Sequence, residues 1–145
     1  MSLASLLPIA THAMLQGEVP IAASVIGSDG TLLAQAHNLV ETNRDATAHA
    51  ELLALREAMV KRGSKYLQDC TLFVTLEPCA MCAQAASLAK IEKIIFGAYD
   101  PKGGGVEHGA RVFSHPTCHH TPEVIGGVME AECAALLRNF FAQRR

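Results

Sequence analysis

The sequence predicts an α/β fold in which five short strands alternate with helices around a mixed sheet. Three observations predict it. Residues 20–26 and 31–37 are strand-like apolar runs separated by Gly27-Ser28-Asp29-Gly30, whose turn chemistry makes them a hairpin. Residues 70–76 and 91–99 are further apolar, β-branched runs, each read as a buried strand, with a helical stretch between them. Strands that alternate with helices need right-handed crossovers and so a parallel portion, to which the hairpin adds an antiparallel edge.

The elements follow in order. Leu3, Leu6, Leu7, Ala10, Ala13 and Met14 form a helical stripe over 3–16, stopped by Gly17, and Pro8 inside it delays or kinks its start. After the hairpin, Asn38 stands at a strand end, where an Asn is commonly a turn former. Residues 43–47 are a polar loop. A helix is expected from Ala48 to Arg62, with Leu52, Leu55 and Met59 inward and Gly63 as its stop. Strand 70–76 ends at Pro78, which suits the first turn of a helix over 79–89 because its missing N–H is not needed there. After strand 91–99, Asp100-Pro101-Lys102-Gly103-Gly104-Gly105 is a loop. Its glycines have neither the dinucleotide nor the Walker spacing of a phosphate cradle. The stretch 106–122 shows no clear pattern, 123–125 reads as a short strand, and 128–143 as an amphipathic helix running into Phe140-Phe141 and Arg144-Arg145.

At 145 residues, half of them hydrophobic and 18% charged, the chain suits one domain, 1–145, with a real core. The formal net charge of −2 supplies no chain-wide basic field, so any nucleic-acid contact has to come from a local patch. No apolar run approaches the roughly twenty residues of a membrane span. The first basic residue is Arg44, so a secretory signal is not expected. Five cysteines, an odd number, point to a reducing, cytoplasmic setting without structural disulfides.

The chemistry lies in two short stretches. Cys79 and Cys82 stand three apart at the start of a helix, which puts both sulfurs on one face. The helix N-terminus favours thiolates there, and two thiolates suit zinc before other metals. A Cys-x-x-Cys can also be a redox pair or two small buried residues. Upstream, Thr47-Ala48-His49-Ala50-Glu51 adds a His-x-Glu in the first turn of another helix, about thirty residues before Cys79. His-x-Glu followed by Pro-Cys-x-x-Cys is the signature of the zinc deaminases. His49, Cys79 and Cys82 as ligands leave a fourth tetrahedral position for water, the mark of a catalytic zinc, and zinc lowers the pKa of that water to about 7. Glu51 is then the carboxylate that moves protons. The competing reading is a zinc-stabilised binding module, closed by a fourth ligand among His115, Cys118, His119 and His120; such a site has no need of Glu51.

These motifs resemble the cytidine and deoxycytidylate deaminase superfamily, and most closely its bacterial tRNA-specific adenosine deaminases. The similarity covers nearly the whole chain. It includes Glu18-Val19-Pro20, the His49 and Cys79 motifs, Phe96-Gly97-Ala98 with Asp100, His115-Pro116, and Phe140-Phe141 with Arg144-Arg145. The resemblance implies a three-layer cytidine-deaminase-like fold with a central mixed five-stranded sheet flanked by helices. It implies one Zn2+ per chain, a homodimer, and hydrolysis of a tRNA wobble adenosine to inosine. The alternative it leaves is a deaminase of a free base or nucleoside such as cytosine, cytidine or guanine. Asn38 matches the position that hydrogen-bonds the flipped base, with Ala50 beside it. Asp100, His119, His120, Phe141, Arg144 and Arg145 match regions that contact the anticodon loop. Arg138 and Lys102 are further cations for that loop. The chain departs from the pattern at Ala22, where relatives have glycine, at Gln84, where they have a smaller residue, at His119 and at Glu107-His108.

Overall fold

In the computed structural model, which describes residues 2–144, the hairpin forms as its turn chemistry dictates. β1 (Ala22–Ile26) and β2 (Leu32–His37) run antiparallel, and inside the turn the Asp29 carboxylate accepts the Thr31 N–H at 3.0 Å. β3 (Thr71–Leu76) pairs antiparallel with the other edge of β1, β4 (Lys93–Ala98) runs parallel to β3, and β5 (Glu123–Ile125) parallel to β4. The order is β2-β1-β3-β4-β5, the mixed five-stranded sheet that the alternation of elements predicts. The helices are α1 (Leu7–Leu15), α2 (Val40–Asn43), α3 (Ala50–Arg62), α4 (Ala80–Leu88) and α5 (Glu130–Ala142).

The period-2 alternation of the strands divides their side chains between two cores. Ala23, Val25, Leu72, Val74, Ile94 and Phe96 pack under α3 and α4. Ala22, Phe73 and Ala98 pack on the opposite face, with the 3-10 turn Leu3–Leu6, α1 and Cys133 of α5. Helix, sheet and helix make three layers, and the Ala22 departure faces the α1 side.

Two details complete the sequence reading, at Pro8 and in 106–122, and two correct it, on α3 and at Pro78. Pro8 sits in the first turn of α1, so that helix starts late, after the 3-10 turn. The inward face of α3 is Ala50, Glu51, Ala54, Leu55 and Ala58. Small residues let this helix lie close on the sheet, while Leu52 and Met59 turn toward α4 and line a hollow with Ala85 and Leu88. Pro78 precedes the α4 cap, which is Cys79. The stretch 106–122 contains one regular element, the 3-10 turn Val112–Ser114.

Packing is close where α5 crosses β4. A Cβ on Gly97 would overlap Cys133 Sγ and lie 2.7 Å from the Thr75 carbonyl oxygen. Gly97→Ala is therefore expected to destabilise the fold by about 1–3 kcal/mol, the usual range for overpacking a filled core. Urea unfolding measures it, and an unchanged midpoint would mean that α5 can lift off without loss.

Candidate active site

Two helix starts build the site. His49 caps α3 and Cys79 caps α4, both with extended backbone, and Cys82 lies in the first turn of α4. β2 and β3, both antiparallel to β1 between them, run the same way and bring the two starts to the same end of the sheet, where open α/β sheets place ligands. His49 Nδ1 lies 3.5 Å from Cys79 Sγ and 3.6 Å from Cys82 Sγ. Tetrahedral zinc with ordinary bond lengths spaces nitrogen and sulfur ligands about 3.6 Å apart, so this donor set fits zinc. Among the described residues it is the one His, Cys, Asp and Glu cluster with ligand atoms close enough together to hold a metal. The alternative fourth ligands lie elsewhere. Cys118 Sγ is 3.4 Å from Ser87 Oγ, eight residues along α4 from Cys79, or about 12 Å of helix. The geometry therefore favours an open catalytic centre over a closed structural one.

The charges depend on one another. The Cys79 thiol is held down at about 4, because the Cys82 thiol and the His49 ring donate to its sulfur and outweigh burial. The same bond to Cys79, with burial and the negative charge of Glu51, pushes Cys82 upward. Of the two thiolates expected at the helix start, the Cys82 thiol and the His49 ring sustain one; a metal held by His49, Cys79 and Cys82 would supply what the second needs. His49 is raised by its bond to the Cys79 sulfur, against burial. Glu51 is 4% exposed. Burial lifts its carboxyl to about 7, opposed by its own backbone N–H and reinforced by the Cys79 charge.

These groups open onto a cavity of about 400 Å³ lined by Asn38, His49, Glu51, Cys79 and Asp100 among others. Asn38 is buried, and its side-chain oxygen accepts the Ala50 N–H at 2.8 Å. That contact fixes the amide: the oxygen is taken, and the NH2 is the free end. Ala50 thus acts through its N–H on Asn38. The Asp100 carboxylate accepts the N–H groups of Lys102 and Gly103 and braces its own turn. Val19, Ile21, Leu76, Asp100 and Gly103 also line a second hollow of about 700 Å³, completed by Tyr99, Lys102, Leu137 and Phe141.

Other predicted contacts lie apart. His120 Nε2 bonds the Ile91 carbonyl at 2.6 Å and His119 is exposed near it, both by the far end of α4. Nearer the cavity, the Arg144 guanidinium stacks 4.1 Å above the Phe140 ring and borders a third hollow, which shares Val19 and Glu41 with the catalytic cavity. Arg145 lies outside the described residues. Gln84 is half-buried and lines neither the cavity nor the adjoining hollow.

Two carboxylates that the sequence reading passed over line the cavity. Glu18, fully buried, accepts the N–H of Glu41, and the N–H of Thr42 at 2.7 Å together with its hydroxyl, which anchors α2. Burial works to raise its carboxyl, but these bonds hold it below the usual range. Glu77 accepts N–H groups from 100 and 106–108. They and the His108 ring likewise outweigh burial and hold it low.

A model of the MafB19-like deaminase family matches residues 2–145. The chain is 49% identical to a tRNA-specific adenosine deaminase of Agrobacterium fabrum, over 88% of this chain and 84% of that one. It is 45% identical to the tRNA-specific adenosine deaminase of Bacillus subtilis, over 90% and 80%. A solved structure from work on A-to-I editing by tRNA:A34 deaminases at the wobble position of transfer RNA superposes with TM-score 0.88 at 46% identity, covering 91% of this chain and 95% of that one. A guanine deaminase from Bacillus subtilis superposes with TM-score 0.66 at 28% identity, covering 98% and 90%.

Proposed function

The chain belongs to the MafB19-like deaminase family, and from that premise we propose that it is a zinc-dependent hydrolytic deaminase that converts the wobble adenosine of a tRNA anticodon to inosine. The observation that carries the reaction type is Glu51, a buried carboxyl held near neutral pKa beside the His49–Cys79–Cys82 triad. A zinc ion in that triad supplies Lewis acidity, which brings the pKa of a water to about 7. Glu51 does the proton work: its carboxylate takes one proton from the attacking water and passes it to the ring nitrogen, then takes the second from the hydroxyl so formed and gives it to the amino group, which leaves as ammonia. Asn38, its oxygen committed to Ala50, donates from its NH2 to the flipped base.

The tRNA substrate is supported by the relatives at 45–49% identity. It is supported also by the shape of the site, since the cavity runs on into a hollow where Phe141 and Tyr99 offer stacking faces and Lys102 a cation. We include in the same reading a homodimer, whose second copy would cover exposed Leu88 beside Leu52 and Met59, and a cytoplasmic setting for the five free cysteines. No helix among the described residues is long and apolar enough to cross a membrane.

The test compares the zinc-loaded enzyme on an anticodon stem-loop with free adenosine, guanine, cytosine and cytidine. Turnover is expected on the stem-loop; efficient turnover of a free base with no stem-loop binding at low salt would overturn the tRNA reading. Replacing Arg138, Arg144 and Arg145 with alanine should weaken stem-loop binding and flatten its salt dependence by roughly one unit of slope per lost phosphate contact. An unchanged slope would make Arg144 a structural residue that only covers Phe140.

A further inference from the structure

We propose that Glu77 and His108 are positioning residues that hold one wall of the catalytic cavity and thereby set the affinity for substrate. The inference rests on the reading of this cavity as the deaminase site.

Glu77 directly follows β3, two residues before Cys79, and is 1% exposed. Its carboxylate is the centre of the loop that follows β4. One oxygen accepts the Asp100 N–H at 3.0 Å and the His108 Nδ1–H at 2.8 Å. The other accepts the N–H groups of Val106, Glu107 and His108 at 3.2, 2.9 and 3.1 Å. All five are donors, so the carboxylate is filled, and only a side chain with two acceptor oxygens satisfies this loop. The glycines that resembled a phosphate loop serve this arrangement. A Cβ on Gly104 would overlap the Glu77 carboxylate, and one on Gly105 would lie 2.5 Å from the Ala80 nitrogen. The loop can reach Glu77 and the start of α4 only because these positions lack side chains. Its turn is closed further by Gly104 N–H to the Asp100 carbonyl and Gly105 N–H to the Pro78 carbonyl, both 2.8 Å.

The wall matters because Asp100 and Gly103 line both the catalytic cavity and the adjoining hollow. His108 lines neither. Its one side-chain hydrogen bond goes to Glu77, and its ring packs edge-on to Tyr99, centroids 6.0 Å apart. An effect of His108 on substrate affinity therefore has to travel through Glu77 and the loop or through Tyr99, and a side chain that keeps the hydrogen bond but not the ring separates the two routes.

Substitution at 108 tests this in the zinc-loaded enzyme without removing Glu77, whose loss endangers the fold. Asn Nδ2 stands as many bonds from Cα as His Nδ1, so His108→Asn keeps the donor; His108→Ala deletes it, and His108→Asp sets an acceptor against the carboxylate. KM for the stem-loop is expected to rise on the order of tenfold in the alanine variant, the effect of losing one charge-assisted bond. It should rise further in the aspartate variant and return close to wild type with asparagine, while kcat and zinc content stay nearly constant. A lowered melting temperature with KM unmoved would reduce the pair to a fold contact, and failure of asparagine to rescue would show that the bond to Glu77 is not the cause. A wild-type enzyme that acts only on a free base sinks the tRNA reading and not this one: the same variants are then compared on that base.

Discussion

Glu51→Gln is expected to lower turnover by about a thousand- to ten-thousand-fold, the upper part of the range for loss of a general acid–base group, with zinc content and fold retained. The size follows from the two transfers the proposed mechanism asks of one side chain, one proton from water to ring nitrogen and a second from the new hydroxyl to the leaving ammonia. Glutamine keeps the shape but cannot carry the proton at either step. Retention of the fold follows from burial: Glu51 is an acid whose ionised form burial opposes, and a neutral amide of equal size relieves that opposition. Single-turnover rates on an anticodon stem-loop, read beside metal analysis, make the measurement. Near-normal deamination by this variant would remove Glu51 from the mechanism.

The legibility of this site in the sequence follows from where its partners stand. His49 and Glu51 are two residues apart, as are Glu77 and Cys79, yet only the first pair was read as chemistry. His-x-Glu and Cys-x-x-Cys carry side-chain types whose spacing on a helix is itself the signal. Four of the five partners of Glu77 are backbone N–H groups 23 to 31 residues away, which leave no mark on residue type, and the fifth, the His108 ring, stands 31 residues on with no helical spacing to mark it. Glu18 is hidden for the same reason, since it holds α2 through N–H groups of 41 and 42. The stretch 106–122 showed no periodicity because part of it is held by Glu77 and by loop bonds, not by an apolar stripe. The fold was legible further, because the strands alternate faces and both cores depend on that alternation. On α3 the pattern pointed one face too far round: the large residues Leu52 and Met59 drew the stripe toward α4, while alanines make the contact with the sheet. His119 and His120 matched by position alone, and in this chain the His120 ring bonds the Ile91 carbonyl, away from the cavity.

The intact protein is expected to bind roughly one equivalent of zinc, and Cys79→Ala and His49→Ala are each expected to lose most of it, and with it nearly all turnover. Replacing a residue that only supports a ligand typically costs 10- to 100-fold in metal affinity, and removing one of three ligands exceeds that. Cys79 should be the more severe of the two. Its sulfur is the thiolate of the pair, held down at about 4, and it accepts from both the Cys82 thiol and the His49 ring. Without it, a metal would have to ionise Cys82 in a buried place beside the Glu51 charge, the two influences that already push that thiol upward. Cys118→Ala and His119→Ala serve as the contrast, because Cys118 stands against Ser87, about 12 Å of helix from Cys79. Zinc per chain, measured by elemental analysis after exhaustive dialysis, decides the matter. Retained metal in the Cys118 and His119 variants, with loss in the Cys79 and His49 variants, supports a three-ligand centre. Equal loss in all four would mean that the metal is closed by a fourth ligand, and the catalytic reading of the triad would fall.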